Sequence, residues 1–340
     1  MTAWRTLVAT ADDEGERLDV VVGRRFADVS RRAARAYGLD GRLFVQGRRA
    51  APSHRVRAGE RIELRLRDLA DDDDAAASLR LLAITPRFVY ALKPAGQHVH
   101  RLRPDDPPAL ADAVARRFAE CAGASIDPRE GGAVHRLDGP TSGVVAFARD
   151  RGSFEHARAG FSAGEIEKVY VAWCRAGPRQ PWPPSPRPAA ATLDRAAPWR
   201  RRPIVGSAVA VVAPLGPTPD RGVGVRADGQ PAHTDVWCVG LRRRPTHADA
   251  LMILRLHTGR RHQARVHLAL LGWPILGDTR YGPPISDANA MVAPRLMLHA
   301  WRLDLRATVS TERAVTAPWP VALCTAWGRP GPLDRPVSTP

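Results

Sequence analysis

The sequence predicts an α+β protein built in two parts, and three observations carry that expectation. Apolar, β-branched runs at 88–92, 144–147, 165–177 and 251–256 read as strands, separated by helically spaced stretches at 108–121 and from about Arg261 to Leu271. Ahead of them, residues 15–66 hold two helical stretches and two strand-like runs of their own, enough for a small module. Between the parts lies DLADDDDAAA (68–77), an acidic low-complexity run that suits a spacer. The expected organisation is a module at 15–66, a linker at 67–78, a main domain at 80–310 and a Pro-rich tail at 311–340.

In the first part, ERLDVVVGRRF places Leu18, Val21, Val22 and Phe26 on one helical face. SRRAARAYG follows, with Ser30 as N-cap, Arg31, Arg32 and Arg35 as a basic face and Gly38 as the stop. GRLFVQGRR and GERIELRL then alternate as strands. Two short helices followed by a small sheet, with arginines on the second helix, resemble the S4 RNA-binding domain. That resemblance makes Arg31 and Arg32 candidate RNA contacts. The bland alternative is a basic, solvated helix.

Charge narrows the partners. The 340 residues carry 51 Lys and Arg against 35 Asp and Glu, a net charge of +16, which makes a polyanion the natural partner through counterion release. No apolar run approaches the roughly 18–20 residues that span a bilayer, and the amino terminus lacks the plan of a signal peptide. Nucleic acid is therefore favoured over membrane. The four cysteines form no CxxC pair, which leaves zinc and redox motifs unsupported and fits buried thiols in a reducing cytoplasm. Only two lysines stand among the arginines, Lys93 and Lys168, a mild sign that an arginine fork would not serve at those places.

The second part opens with RFVYALKPAG (87–96), a strand leaving through a Lys-Pro-Ala-Gly turn, and PALADAVARRFAEC (108–121) continues as a helix. In GGAVHRLDGPTSGVVAF (131–147), Gly139-Pro140 forces a turn between two segments that read as strands, which brings Asp138 to the lip of a sheet. In EIEKVYVAWCRAG, the period of two puts Lys168 and Tyr170 on one face. GPRQPWPPSPRPAA reads as a long surface insertion within 178–203. In ALMILRLHTGRRHQARVHLALLGWPILGDTRYG (250–282), a strand and a Thr-Gly turn lead into a helix. Arg261 and Arg265, four apart, share a face near its positive N-terminal end, a good place for phosphate or carboxylate. His257, His262 and His267 tempt a metal reading, but a spacing of five does not put the helical pair His262 and His267 on one face. No metal and no cofactor are expected.

HRLDGPTSG, KVYVAWCRAG and LHTGRRHQARVHLALLGWPILGD, in that order, with KPAG ahead and LMLHAWRL behind, resemble the RluA-type family of pseudouridine synthases. The likeness covers roughly 80–305, and the S4-like module suits members that modify large-subunit ribosomal RNA. It implies a large mixed, mostly antiparallel sheet flanked by helices, with the active cleft across it and the module hinged in front. By this likeness Asp138 breaks the N-glycosidic bond of a uridine, acting either as nucleophile at the sugar or as base at an adjacent carbon. Arg265 pairs with that aspartate, and Tyr170 stacks on the target base. Arg136 enters the RNA stack left by the flipped base. Lys168, Arg260, Arg261, His262 and Gln263 are candidate substrate contacts.

Gly139-Pro140 departs from the polar pair often found between HRLD and TSG, and the 178–203 insertion and the tail have no clear counterpart. A retired synthase that only binds RNA would be suggested by loss of Asp138, Tyr170 or Arg265, and all three are present. A glycosidase would need a second carboxylate, and Asp278 reads instead as a loop tie. The expectation is a cytoplasmic, monomeric enzyme acting on ribosomal RNA in preference to transfer RNA.

Overall fold

The computed structural model describes residues 4–26, 29, 31–39, 43–65, 79–102, 106–176, 192–193, 205–220, 222–243, 247–282, 293, 295–320 and 323. The chain divides into one unit of residues 1–79 and 100–117 and a second of 80–99 and 118–340. In the first, strands β1 (Trp4–Val8), β2 (Leu43–Val45), β3 (Arg48–Arg49) and β4 (Arg61–Arg65) form an antiparallel sheet in the order β1-β4-β2-β3. Helices α1 (Leu18–Arg25) and α2 (Arg31–Leu39) belong to it, and Leu18, Val21, Val22, Leu43, Ile62 and Leu64 are fully buried in its core. The strand β1 lies ahead of residue 15, where the sequence reading starts the module. The expected helix at 108–121 is two: α3 (Leu110–Arg117), in the first unit, and α4 (Ala119–Ala124), in the second. Arg31 is exposed; the side chain of Arg32 and the acidic linker fall outside the described residues.

The second unit is built on one large sheet. Its strands are β5 (Leu81–Ile84), β6 (Phe88–Lys93), β7 (Ser142–Ala148), β8 (Glu167–Ala176), β9 (Thr192–Leu193), β10 (Ala208–Val212), β13 (His233–Arg243), β14 (Ala248–Leu256), β15 (Leu298–Asp304) and β16 (Val315–Thr316). They run β5-β6-β7-β15-β8-β14-β13-β10-β9, with β16 on β15, and only the β7–β15 pairing is parallel. A separate hairpin joins β11 (Leu215–Pro217) to β12 (Val223–Val225). The expected mixed, mostly antiparallel sheet is thus what forms. Every residue of β7 is buried, the mark of a central strand. Helix α5 (Arg151–Ala163), capped by the Asp150 side chain and ended by Gly164, packs Phe154 and Ala157 against Phe88, Tyr90, Val144 and Ala146. Helix α6 (Gln263–Leu270) packs Ala264, Leu268 and Leu270 against Val171, Met252 and Leu254.

Three local findings differ from the sequence reading. Residues 133–137 are not a strand: Ala133 makes a single bridge to Phe147, because the chain turns away after the Val134 N–H bonds the Ala146 carbonyl at 3.1 Å. The stretch past residue 310 is partly core, where Glu312 accepts hydrogen bonds from Tyr90 Oη and Thr85 Oγ1, each at 2.9 Å, while Val315 and Ala317 are buried. Of the 178–203 insertion, only Thr192–Leu193 lies within the described residues, as an edge strand. Close backbone approach dictates the glycine in the parallel pairing. Gly143 has φ +135°, and a Cβ there would collide with the Ala300 carbonyl across the parallel pairing.

Two fully buried histidines make the fold acid-sensitive. Burial pushes His267 down to about 4 and His299 down to about 3. Unfolded, each titrates near 6.5, so the unfolded chain binds more protons across the interval between. Their contribution is complete above about pH 6.5 and falls as pH drops toward the folded values, by about 1.4 kcal/mol per pH unit for each proton taken up on unfolding. Denaturant unfolding measured at pH 7.5 and pH 5 is expected to show the loss, and His267→Gln is expected to reduce its slope.

Candidate active site

The site starts from the turn that delivers Asp138 to the head of β7. The Thr141 N–H closes it on the Asp138 carbonyl at 2.9 Å, and the Gly139 carbonyl accepts from the Gly96 N–H at 2.8 Å. Lys93 binds the same carbonyl: its fully buried ammonium donates to Gly139 O at 2.9 Å, Pro94 O at 2.9 Å and Gln97 O at 2.6 Å. Three carbonyls converging on one point suit a compact ammonium and would not accept a planar guanidinium, which accounts for a lysine here. Burial pushes its pKa to about 7, and the Asp138 carboxylate opposes that shift. Lys93→Met is expected to leave buried carbonyls unpaired, to cost at least about 1–3 kcal/mol and to loosen the Asp138 turn. Thermal unfolding together with a kcat measurement checks this; unchanged values would refute the anchoring role.

A cavity of about 620 Å³ opens beside Asp138. Arg136, Asp138, Lys168, Tyr170, Arg260, His262, Gln263 and Arg265 all line it, as do Arg158 and Phe161 of α5. Lys168 and Tyr170 share a face of β8, as the period of two requires. The Lys168 ammonium is buried without a hydrogen-bond partner among the described residues, 5.7 Å from the centroid of the Phe161 ring. Burial first, and the charge of Arg260 second, bring its pKa to about 8. Burial and the Asp138 charge push the Tyr170 phenol up, so it keeps its proton at neutral pH.

The opposite wall comes from the turn between β14 and α6. Helix α6 begins at Gln263 rather than near Arg261, because His262 takes a left-handed φ of 56° as its N-cap. Arg261 therefore precedes the helix, is exposed, and shares no helical face with Arg265; it is not among the cavity-lining residues. Gln263 lies on the wall, but its amide is spent internally. It donates to His233 O and Thr234 Oγ1 at 2.9 Å and accepts from Thr258 Oγ1 at 2.7 Å and the Arg260 N–H at 3.0 Å. It shapes the turn that presents its neighbours.

Arg265 departs from the expected pairing. Its Nε and Nη2 donate to Asp278 at 2.8 and 2.7 Å, a bidentate pair with side-chain exposures of 8% and 0%, and Asp138 acts on it only through space. The physical reason is position: Asp278 ties the turn after α6 through the Arg280 and Tyr281 N–H groups, so both its oxygens already sit at the guanidinium edge. The guanidinium also lies 5.0 Å from the Tyr281 ring centroid. His262 faces Asp138, with its Nε2 4.0 Å from Oδ1 and its Nδ1 2.7 Å from Tyr281 Oη. Burial pushes His262 to about 4, with Asp138 opposing, so the ring is neutral.

The three histidines weighed as metal ligands in the sequence do not converge. His257 Nε2 meets Asp235 at 2.6 Å, His262 faces Asp138, and His267 Nδ1 bonds Thr234 at 2.9 Å. Arg158 and Phe161 were missed because α5 was not read, although Asp150 ahead of it and Gly164 behind it are ordinary helix start and stop signals.

A carboxylate among cations thus lines a cavity on this sheet, and comparison with known proteins identifies the class. Residues 87–270 match the family described as RNA pseudouridylate synthase, and the chain belongs to that family, in its RluA-type branch. It is thus an RNA pseudouridine synthase, an isomerase. An uncharacterized RNA pseudouridine synthase of Chloroflexus aurantiacus is 30% identical over 94% of this chain and 91% of its own. A ribosomal large subunit pseudouridine synthase D of Xanthomonas campestris is 30% identical over 91% of this chain and 86% of its own. The dual-specificity RNA pseudouridine synthase RluA of Escherichia coli is 34% identical over 51% of this chain and 65% of its own. Among solved structures, human RNA pseudouridylate synthase domain containing 4 shares the fold, with a TM-score of 0.52 and 21% identity over 75% of this chain and 96% of its own. Among the described residues no helix is long and apolar enough to cross a membrane.

Proposed function

We propose that this synthase isomerises uridines of large-subunit ribosomal RNA, with Asp138 as its catalytic carboxylate. One observation carries the assignment: Asp138 is the only carboxylate among the described residues lining the cavity, beside Tyr170 and the cations Arg136, Arg158, Lys168, Arg260 and Arg265. A glycosidase-like hydrolase would need a second carboxylate there. For the RNA, support comes from relatives named as large-subunit ribosomal synthases, which align over 86–91% of this chain, whereas the dual-specificity relative aligns over 51%. The S4-like first unit, with Arg31 exposed on α2 and Arg32 beside it in sequence, supports the same target. Transfer RNA is the second reading.

In this mechanism the target uridine leaves its stack and enters the cavity, because a stacked glycosidic bond is out of reach of Asp138. Arg136, exposed at the mouth, takes the vacated place. Tyr170 supports the base as a neutral phenol. Asp138 acts at the sugar or at the adjacent carbon; the N1–C1′ bond breaks, the uracil turns, C5–C1′ forms, and the C5 hydrogen is lost as N1 gains one. The Tyr281 hydroxyl accepts from the Val223 N–H at 3.0 Å and lies 2.7 Å from His262 Nδ1, and in this mechanism the phenol donates there, so that the ring proton sits on Nε2 toward Asp138. Lys168, without a hydrogen-bond partner among the described residues, is placed for a phosphate oxygen. Loss of the C5 hydrogen sets the test. Ribosomal transcripts labelled with tritium at uridine C5 are expected to release it to water with the wild-type chain. Release from transfer RNA alone would favour the second reading, and release from neither RNA would overturn the target and the role of Asp138 together.

A further inference from the structure

We propose that His233, Asp235 and His257 form a binding site for a divalent transition-metal ion of the zinc class on the wall of the active-site cavity. Residues 233 and 235 are two apart on β13, so their side chains leave the same face of the sheet. His257 follows β14 and lies beside His233, its N–H bonded to the His233 carbonyl at 3.1 Å. The three side chains meet: His233 Nε2 is 3.0 Å from Asp235 Oδ1, His257 Nε2 is 2.6 Å from Asp235 Oδ2, and the two rings stack at 4.1 Å. One donor atom from each residue lies within 4.8 Å of the others.

Zinc holds imidazole nitrogen and carboxylate oxygen at about 2.0–2.2 Å, which sets tetrahedral donors roughly 3.3–3.6 Å apart. The two imidazole–carboxylate contacts, at 3.0 and 2.6 Å, must open slightly, while separations of up to 4.8 Å must close by roughly an ångström. The side chains can move that far, being 37%, 23% and 33% exposed for His233, Asp235 and His257. Their backbone need not move. The His233 N–H is held by Thr258 Oγ1 at 3.0 Å and its carbonyl by Gln263 Nε2 at 2.9 Å. Two imidazoles and one carboxylate favour a zinc-class ion over magnesium, and three protein ligands leave a coordination position open. Because His233 and His257 line the cavity, an ion held by them would border the substrate space.

A phosphate is the less suitable occupant, since it would meet the Asp235 carboxylate between the two rings. Arg255 lies across from Asp235 in the β13–β14 register, and Arg260 and Lys168 line the same cavity. These cations, and the two imidazole–Asp235 hydrogen bonds that a metal must replace, set the affinity below that of a closed four-ligand site.

The test reads metal rather than isomerisation, so it stands apart from the reading of Asp138. Full-length chain without a histidine tag, stripped with chelator, is titrated with Zn²⁺ by calorimetry and with Co²⁺ by visible absorption. His257→Ala, His257→Gln, Asp235→Asn and, as a control distant in sequence, His156→Ala are titrated in parallel, with metal-free unfolding confirming that each is folded. One equivalent bound by wild type and by His156→Ala, with affinity about tenfold or more weaker in the His257 and Asp235 variants, is the expected result. Equal binding by wild type and the folded site variants, or no binding by wild type at micromolar Zn²⁺, would overturn the proposal.

Discussion

Asp138→Asn is expected to lose at least about 10⁴-fold in kcat, the scale on which removal of a catalytic carboxylate is felt, while folding and RNA binding persist. The carboxamide keeps the shape and removes the charge and the nucleophilic or basic oxygen. Stability should change by no more than about 0.5 kcal/mol, because the side chain is 24% exposed and the neutral His262 ring it faces is 4.0 Å away. The charge matters to the site in other ways. Asp138 pushes the pKa of Lys93 up and helps keep the Tyr170 phenol protonated. Removing it should lower both values, and the Tyr170 change can be followed by ultraviolet titration of the phenol. An Asp138→Asn chain that still turns over at a tenth of the wild-type rate would exclude Asp138 as the reacting group.

The second large effect belongs to stability. Asp278→Ala is expected to cost about 3–5 kcal/mol, because it strands the buried Arg265 guanidinium without its partner. Arg265→Ala should cost a similar amount for the mirror reason. The double variant Arg265→Met/Asp278→Leu should recover most of that loss, since an apolar pair of similar volume replaces two buried charges. Activity is not expected to return in the double variant, because the positive charge facing Asp138 is gone. Burial alone would raise the Asp278 pKa, but the Arg265 hydrogen bonds and charge leave it lowered. Its contribution is therefore present above the unfolded value near 3.9 and lost only as pH falls through the lower folded value. The buried histidines act at higher pH, so the two effects separate in a pH series. Chemical denaturation of the three variants and wild type at pH 7 measures the first; a double variant no more stable than the singles would contradict it.

The residues legible from sequence were those whose roles are local. A period of two was enough to place Lys168 and Tyr170 on one face, and a Gly-Pro turn was enough to place Asp138 at the lip of β7. Partnerships across long loops were not legible. Nothing near Arg265 in sequence shows that Asp278 reaches its guanidinium edge, or that Lys93 anchors a carbonyl 46 residues away. The start of α6 was misjudged because a non-glycine residue, His262, takes a left-handed conformation that propensity disfavours. β13 went unread although HTDVWCVG alternates, and with it went the proximity of His233 and Asp235 to His257. Helix α3 was merged with α4 because Phe118 continues the apolar spacing while its backbone leaves the helical region.

The most direct test of the central claim is a map of pseudouridines in total RNA from cells lacking this gene, rescued with wild type or with Asp138→Asn. The account predicts that discrete sites in large-subunit ribosomal RNA disappear on deletion and return only with wild type. Sites that return equally with Asp138→Asn would contradict the role of Asp138, and a map unchanged by deletion would contradict the proposed target.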